Sequence, residues 1–147
     1  MWQLVKENLE TGKRSGCGAY TSVKQALVYA PDVLDWVLDE VGADIDEKDE
    51  LTGNFKQCGG KLAIVCNRYQ IYLTKQCLDV YGKPVCEPSG CIRINGNAIW
   101  TDPDGGAKYK VRVNRIDSPE LVTCSMLYDD GRDCGDLECP WNELKAA

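Results

Sequence analysis

The sequence predicts an α+β fold: two to three helices packed on a three- to four-stranded antiparallel sheet, stapled by disulfides. Three observations carry this expectation. Apolar residues in the first half recur at helical spacing. The second half alternates apolar and polar residues as strands do. Nine cysteines in 147 residues are spread over both halves, and no two form a Cys-x-x-Cys pair that would suggest a redox motif or a zinc ribbon.

Residues 2–10 are weakly amphipathic and fit a short strand or helix. Ser22 and Gln25 have the spacing of a capping box, so a helix opens there and runs to about Tyr29. Pro31 suits the first turn of a second helix, where its missing N–H costs nothing. Val33, Leu34, Val37, Leu38 and Val41 form the apolar side of that helix, with Asp32, Asp35, Asp39 and Glu40 on a solvated side and Gly42 as its stop. Residues 43–60 are acidic and contain glycine, and they read as a loop. A third helix is expected over residues 61–81, because Leu62, Cys66, Tyr69, Leu73, Cys77 and Val80 step by three or four, and Gly82 with Pro84 would stop it. Its β-branched residues make a strand pair the competing expectation. On the helix, Cys66 and Cys77 would lie about 16 Å apart and could not bond each other.

The second half predicts an antiparallel meander. Asn95-Gly96 signals a hairpin, and residues 102–106 (DPDGG) signal a second turn. Tyr109, Val111 and Val113 alternate with Lys108, Lys110, Arg112 and Asn114, which predicts one buried and one wet face. Ser118-Pro119 turns the chain into a strand over residues 121–128. Residues 129–141 are expected to form a polar loop tied down by two cysteines. Residues 1–16 read as an N-terminal segment that could be the remnant of a pro-segment, since Lys13-Arg14 is a dibasic pair just before the first cysteine. Residues 17–147 read as a single disulfide-rich domain.

Cys17, Cys58, Cys66, Cys77, Cys86, Cys91, Cys124, Cys134 and Cys139 are expected to be bridged, with one left unpaired and able to link two copies covalently. The bridges in turn place the chain outside the cell. Histidine is absent, which excludes Ser-His-Asp and Cys-His nucleophilic sites and the HExxH metalloproteases. A net charge of −6 and a pI of about 4.7 argue against nucleic-acid binding. No apolar run is long enough to insert in a membrane.

Several clusters could carry chemistry. Cys86-x4-Cys91 with Cys134-x4-Cys139 has outer-limit zinc spacing, but small disulfide loops explain it better. Asp102 and Asp104 resemble the start of a calcium loop, yet the downstream Glu is missing. The 23 carboxylates could include a glycosidase pair, though no spacing singles one out. The strongest candidate is a basic row of Lys108, Lys110 and Arg112, continued by Arg115 and joined by Arg93. An acidic partner or a phosphate-bearing ligand would suit it. Trp100, beside a turn, could be presented with it, whereas Trp36 is expected in the core.

In composition the chain resembles the small secreted cysteine-rich effectors of plant-pathogenic fungi; no family motif supports the likeness. It implies a non-enzymatic, extracellular interaction protein with no cofactor and no metal, monomeric, that binds a host or partner protein. Two other readings are a secreted hydrolase inhibitor or toxin, braced by loops 86–91 or 129–139, and a histidine-free hydrolase using carboxylates.

Overall fold

The computed structural model describes residues 1–75 and 90–147. The chain divides into two units, Met1–Cys91 and Ile92–Ala147.

In the first unit, β1 (Trp2–Asn8) and β2 (Arg14–Tyr20) form a hairpin, followed by α1 (Val23–Glu40), α2 (Ile45–Gln57), β3 (Ile64–Cys66) and β4 (Tyr69–Thr74). The sheet is antiparallel with order β2-β1-β4-β3. Register decides its two faces, because directly opposed residues share a face. Leu4 opposes Leu73 and Ile64 opposes Ile71. These side chains meet Ala26, Ala30, Leu34, Val37 and Leu38 of α1 and Phe55 of α2 in one core.

Local signals explain the helix ends. The Ser22 hydroxyl accepts from Gln25 N at 3.0 Å, as the capping box requires. The Gln25 amide oxygen reaches one residue further back than expected, accepting from Thr21 N at 2.7 Å and Thr21 Oγ1 at 3.0 Å. Gly42 takes φ +87 just past the C-cap Val41, and Ala43 N bonds back to Leu38 O, so Gly42 ends α1 as its sequence suggests.

On the other face of this sheet, Val5 opposes Tyr72 and Glu7 opposes Gln70. All four are buried. Glu7 Oε1 accepts from Tyr72 Oη at 2.8 Å and from Gln70 Nε2 at 3.3 Å, and Arg14 Nε lies 3.7 Å away. A buried carboxylate needs such donors, so this cluster reads as structural.

The second unit is a five-stranded antiparallel sheet: β5 (Asn97–Thr101), β6 (Lys108–Ser118), β7 (Leu121–Leu127), β8 (Asp133–Cys139) and β9 (Leu144–Ala146), in order β8-β7-β6-β5-β9. A single 3-10 turn, Trp141–Glu143, leads into β9. The 102–106 turn closes the β5–β6 hairpin, with Asp102 N bonded to Ala107 O and Asp104 N to Asp102 Oδ1. Asn95 makes a tight turn at φ +66 that feeds β5.

The expected fold class is therefore corrected. The protein has two helices and two antiparallel sheets with nine strands among the described residues, a sheet-rich arrangement in place of helices on one small sheet. Disulfides are not the staple. Among the described residues no disulfide is formed, and Cys17, Cys66, Cys124, Cys134 and Cys139 stand as thiols. Cys66, Cys124 and Cys139 are buried, as Cys58 and Cys91 are. A buried cysteine packs as a small apolar side chain, which explains how a high count arises without bridges. Cys77 and Cys86 lie outside the described residues.

Smaller corrections have local causes. Pro31 does not divide two helices, because α1 runs continuously through it. Residues 43–60 are mostly helix. Asp44 caps α2 by accepting from Glu47 N at 2.8 Å, and Asp46 and Glu47 complement the helix dipole in its first turn. The helix expected from residue 61 is instead the β3–β4 pair, turned at Asn67 with φ +53. Its remainder, residues 76–81 with Gly82 and Pro84, lies outside the described residues. The polar tail carries an edge strand, β8, and Tyr109 is 41% exposed where alternation predicts burial. Trp36 is 63% exposed and is not a core residue.

Candidate functional site on the outer face of the second sheet

The two faces of the second sheet follow from its ladders. Ala98 opposes Val111, Val113 opposes Cys124, and Val122 opposes Cys139. These six side chains are buried and define the inner face. Lys108, Lys110 and Arg112 alternate with Tyr109, Val111 and Val113 along β6, so they point to the outer face, as the sequence predicts. On that face Ile99 opposes both Lys110 and Lys145, and Arg112 opposes Ser125, which opposes Asp136.

Strict alternation would carry Arg115 to the inner face. A β-bulge at Asn114 prevents this. The register shifts between Val113 and Arg115, so Arg115 opposes Thr123 while Arg112 opposes Ser125, and both arginines stay outside. Asn114 holds the bulge. Its Nδ2 donates to the buried Ser125 Oγ at 2.6 Å, and its Oδ1 accepts from Arg112 Nε at 3.3 Å.

The row is electrostatically uneven. Arg112 pairs with Asp133 at 3.3 Å and Arg115 with Asp117 at 3.0 Å. Lys108 and Lys110 have no ion pair among the described residues. Their ammonium groups remain open to an incoming anion, while the arginines are partly neutralised by the neighbouring acidic strand.

Lys110 borders a cleft of about 310 Å³, near the lower limit for small-ligand sites. Ile99 and Leu127 give it an apolar lining, and Tyr128, Asp129 and Gly131 contribute from the β7–β8 turn. That turn is tied by Tyr128 N to Arg132 O at 2.8 Å and by Gly131 N to Tyr128 O at 2.9 Å. Arg132 lies 5.5 Å from the Tyr128 ring centroid and pairs with Asp130 at 2.6 Å. Asp129 supplies the one carboxylate side chain among the described lining residues. The arrangement offers an apolar trough with a cation at its edge.

The other expected site residues are elsewhere. Trp100 opposes Tyr109 and Leu144, which puts it on the inner-face side of β5. Its ring stacks on Tyr109 at 5.6 Å and 27°, and its Nε1 donates to Glu143 Oε1 at 3.1 Å. It is thus engaged in holding β9's approach, not presented beside the lysines. Arg93 lies in the turn before β5, where its carbonyl accepts from Gly96 N at 3.0 Å. That turn joins the Val113 end of the ladder, through Asn95 N to Val113 O, away from Lys108 and Lys110. The trough itself was not legible beforehand, because Leu127 and Tyr128 reach Lys110 only through the β6–β7 register.

The inner face carries a second chemical feature. Cys124 and Cys139 lie diagonally across β7 and β8, and each thiol perturbs the other. The Cys139 thiol lowers the Cys124 pKa, and the Cys124 thiol, with burial second, raises that of Cys139. Both are buried, and thiolate chemistry needs access. Among the described residues no cluster of three or more Cys, Asp or Glu could hold a metal ion. No described helix is long and apolar enough to cross a membrane.

No family model, curated protein or solved structure matches the chain.

Proposed function

We propose that the protein is a non-catalytic binding protein whose second unit takes an acidic, partly apolar segment of a protein partner in the cleft beside Lys110. The observation that carries this reading is the pairing of an apolar trough, Ile99 and Leu127, with Lys110, which has no ion pair among the described residues. Apolar area supplies affinity, and a cation placed at its edge selects an anionic group. The bulge at Asn114 extends the cationic row along one face and so lengthens the surface such a segment could follow.

The test uses a hexapeptide alternating Leu and Glu, with a Gln counterpart as control. Calorimetry should show saturable binding of the Glu peptide, weaker binding of the Gln peptide, and a loss of about tenfold or more for Lys110→Glu, in the range of charge reversals at interfaces. Equal affinity for Lys110→Glu and the parent chain would sink the proposal.

An extracellular role directed at a host protein is proposed on composition alone. Its bridge argument is withdrawn by the thiols of Cys17, Cys66, Cys124, Cys134 and Cys139. Recovery of the chain from culture supernatant supports that role, and recovery only from cell lysate contradicts it.

A further inference from the structure

The exposed side of α1 presents features that the basic row and its cleft do not use. Val28, Tyr29 and Trp36 are 64%, 59% and 63% exposed, whereas Ala26, Ala30, Leu34, Val37 and Leu38 bury the opposite side. Tyr29 and Trp36 are seven residues apart, two turns of helix, and so share one face about 10 Å apart along the axis. Asp32 lies between them on the same face, three residues after Tyr29 and four before Trp36.

Charge on this layer is strongly biased. Residues 23–57 contain three lysines and nine Asp or Glu, a balance of −6 that equals the net charge of the whole chain. The remaining residues are balanced. Some of these carboxylates are answered locally: Lys48 lies 3.5 Å from Asp35 and 3.7 Å from Asp39, and Lys6 lies 3.6 Å from Glu40. Asp32 has no ion pair among the described residues. Two exposed aromatic rings thus flank an unanswered carboxylate within the most acidic part of the molecule.

We infer that this face of α1 docks a basic protein segment that reads it with arginine. A guanidinium stacks on an aromatic ring and also pairs with a carboxylate, whereas an ammonium does the second without the planar stacking. Exposed Trp and Tyr are the residue types that become interface anchors. The surrounding acidic field raises the encounter rate with a cationic partner. Tyr29 and Trp36 set the partner's spacing. Arginines at i and i+3 of a polyproline-II segment lie on one side about 9 Å apart, and arginines at i and i+7 of a helix about 10 Å apart, so either would meet both rings. This surface is independent of the Lys110 cleft, which requires the opposite charge.

The probe is a twelve-residue Gly/Ser peptide with Arg at every third position, with Lys and citrulline versions beside it, titrated into the full chain. The Arg peptide should bind more tightly than the Lys peptide, and the citrulline peptide should not bind. Trp36→Ser and Asp32→Asn should each weaken the Arg peptide by about fivefold or more. Glu120→Gln, which removes an equal charge from an exposed position in the second unit, should leave binding unchanged. Helical circular dichroism checks that the variants fold, which is expected because both side chains are exposed. Equal binding by Trp36→Ser and the parent chain would overturn the inference. So would equal weakening by Glu120→Gln. Absent peptide binding, together with a concentration-dependent dimer that Trp36→Ser abolishes, would also overturn it by assigning the face to a second copy of this chain.

Discussion

Arg112 and Arg115 present their side chains on the same face of the second sheet although they are three positions apart, because Asn114 is an extra residue in the ladder opposite β7. The bulge keeps a second guanidinium on the face that carries Lys108 and Lys110. It rests on few bonds, of which the 2.6 Å contact between Asn114 Nδ2 and Ser125 Oγ is the shortest. Asn114→Ala leaves the buried Ser125 hydroxyl without that partner. The expected cost is about 1–3 kcal/mol, read as a lower urea midpoint with an unchanged slope. An unchanged midpoint would show that the bulge does not depend on Asn114.

Gly60 is fixed by two constraints at once. Its φ is +71, and a Cβ placed there would lie 2.5 Å from Leu73 Cδ1 in the core. Gly60→Ala therefore combines backbone strain with overpacking, and about 1–3 kcal/mol of destabilisation is expected. Gly53→Ala, within α2 and with nothing near its added methyl group, should be neutral or stabilising by up to about 1 kcal/mol. Parallel thermal melts of the two variants check the contrast, and equal shifts would refute it.

Alkaline pH should weaken the first unit. Burial, then the neighbouring Glu47 carboxylate, pushes the Cys66 thiol from the ordinary value of 9.0 up to about 11. Between those values the folded state keeps a proton that the unfolded state has lost. Stability is thus fully present below about 9 and falls as pH rises toward 11. Burial raises the Tyr20 hydroxyl and the Cys17 thiol as well, in the same direction. Urea unfolding at intervals from pH 8 to about 11 should show the decline, and Cys66→Ala should make it shallower. Parallel pH profiles for the two proteins would remove Cys66 as a cause.

Thiol accessibility should divide sharply. Cys134 is exposed on the edge strand, whereas Cys124 and Cys139 are buried on the inner face. Iodoacetamide on the native chain should alkylate Cys134 and spare the other two until denaturant is added, as peptide mass mapping would show. Rapid native labelling of Cys124 would mean that β7 and β8 separate readily.

Much of the second unit was legible in the sequence. The DPDGG turn, the alternation at Val111 and Val113 and the break at Ser118-Pro119 are local signals, and local signals set a meander. The outward placement of Lys108, Lys110 and Arg112 followed from the same alternation. The errors arose where tertiary packing outweighed period. Leu62 to Leu73 fits a helical step, but Ile64, Val65 and Ile71 are β-branched, and pairing with β1 resolves the choice toward strands. The acidic α2 reads as a loop in the sequence because its apolar stripe is thin, with Phe55 as its one buried residue. Its readable signal was the Asp44 to Glu47 cap. Residue type favours the core for Trp36, yet it falls on the α1 face opposite Leu34 and Leu38. The cleft depends on register between β6 and β7, which no single strand encodes.

The cysteines mark the largest departure between sequence and structure, and they give the most direct test of a fold held by packing and ladders. The measurement is a thiol titration of the purified chain, unfolded in denaturant with no reductant ever present. At least five thiols should titrate, those of Cys17, Cys66, Cys124, Cys134 and Cys139. One thiol or none would contradict this fold and restore a disulfide-stapled one.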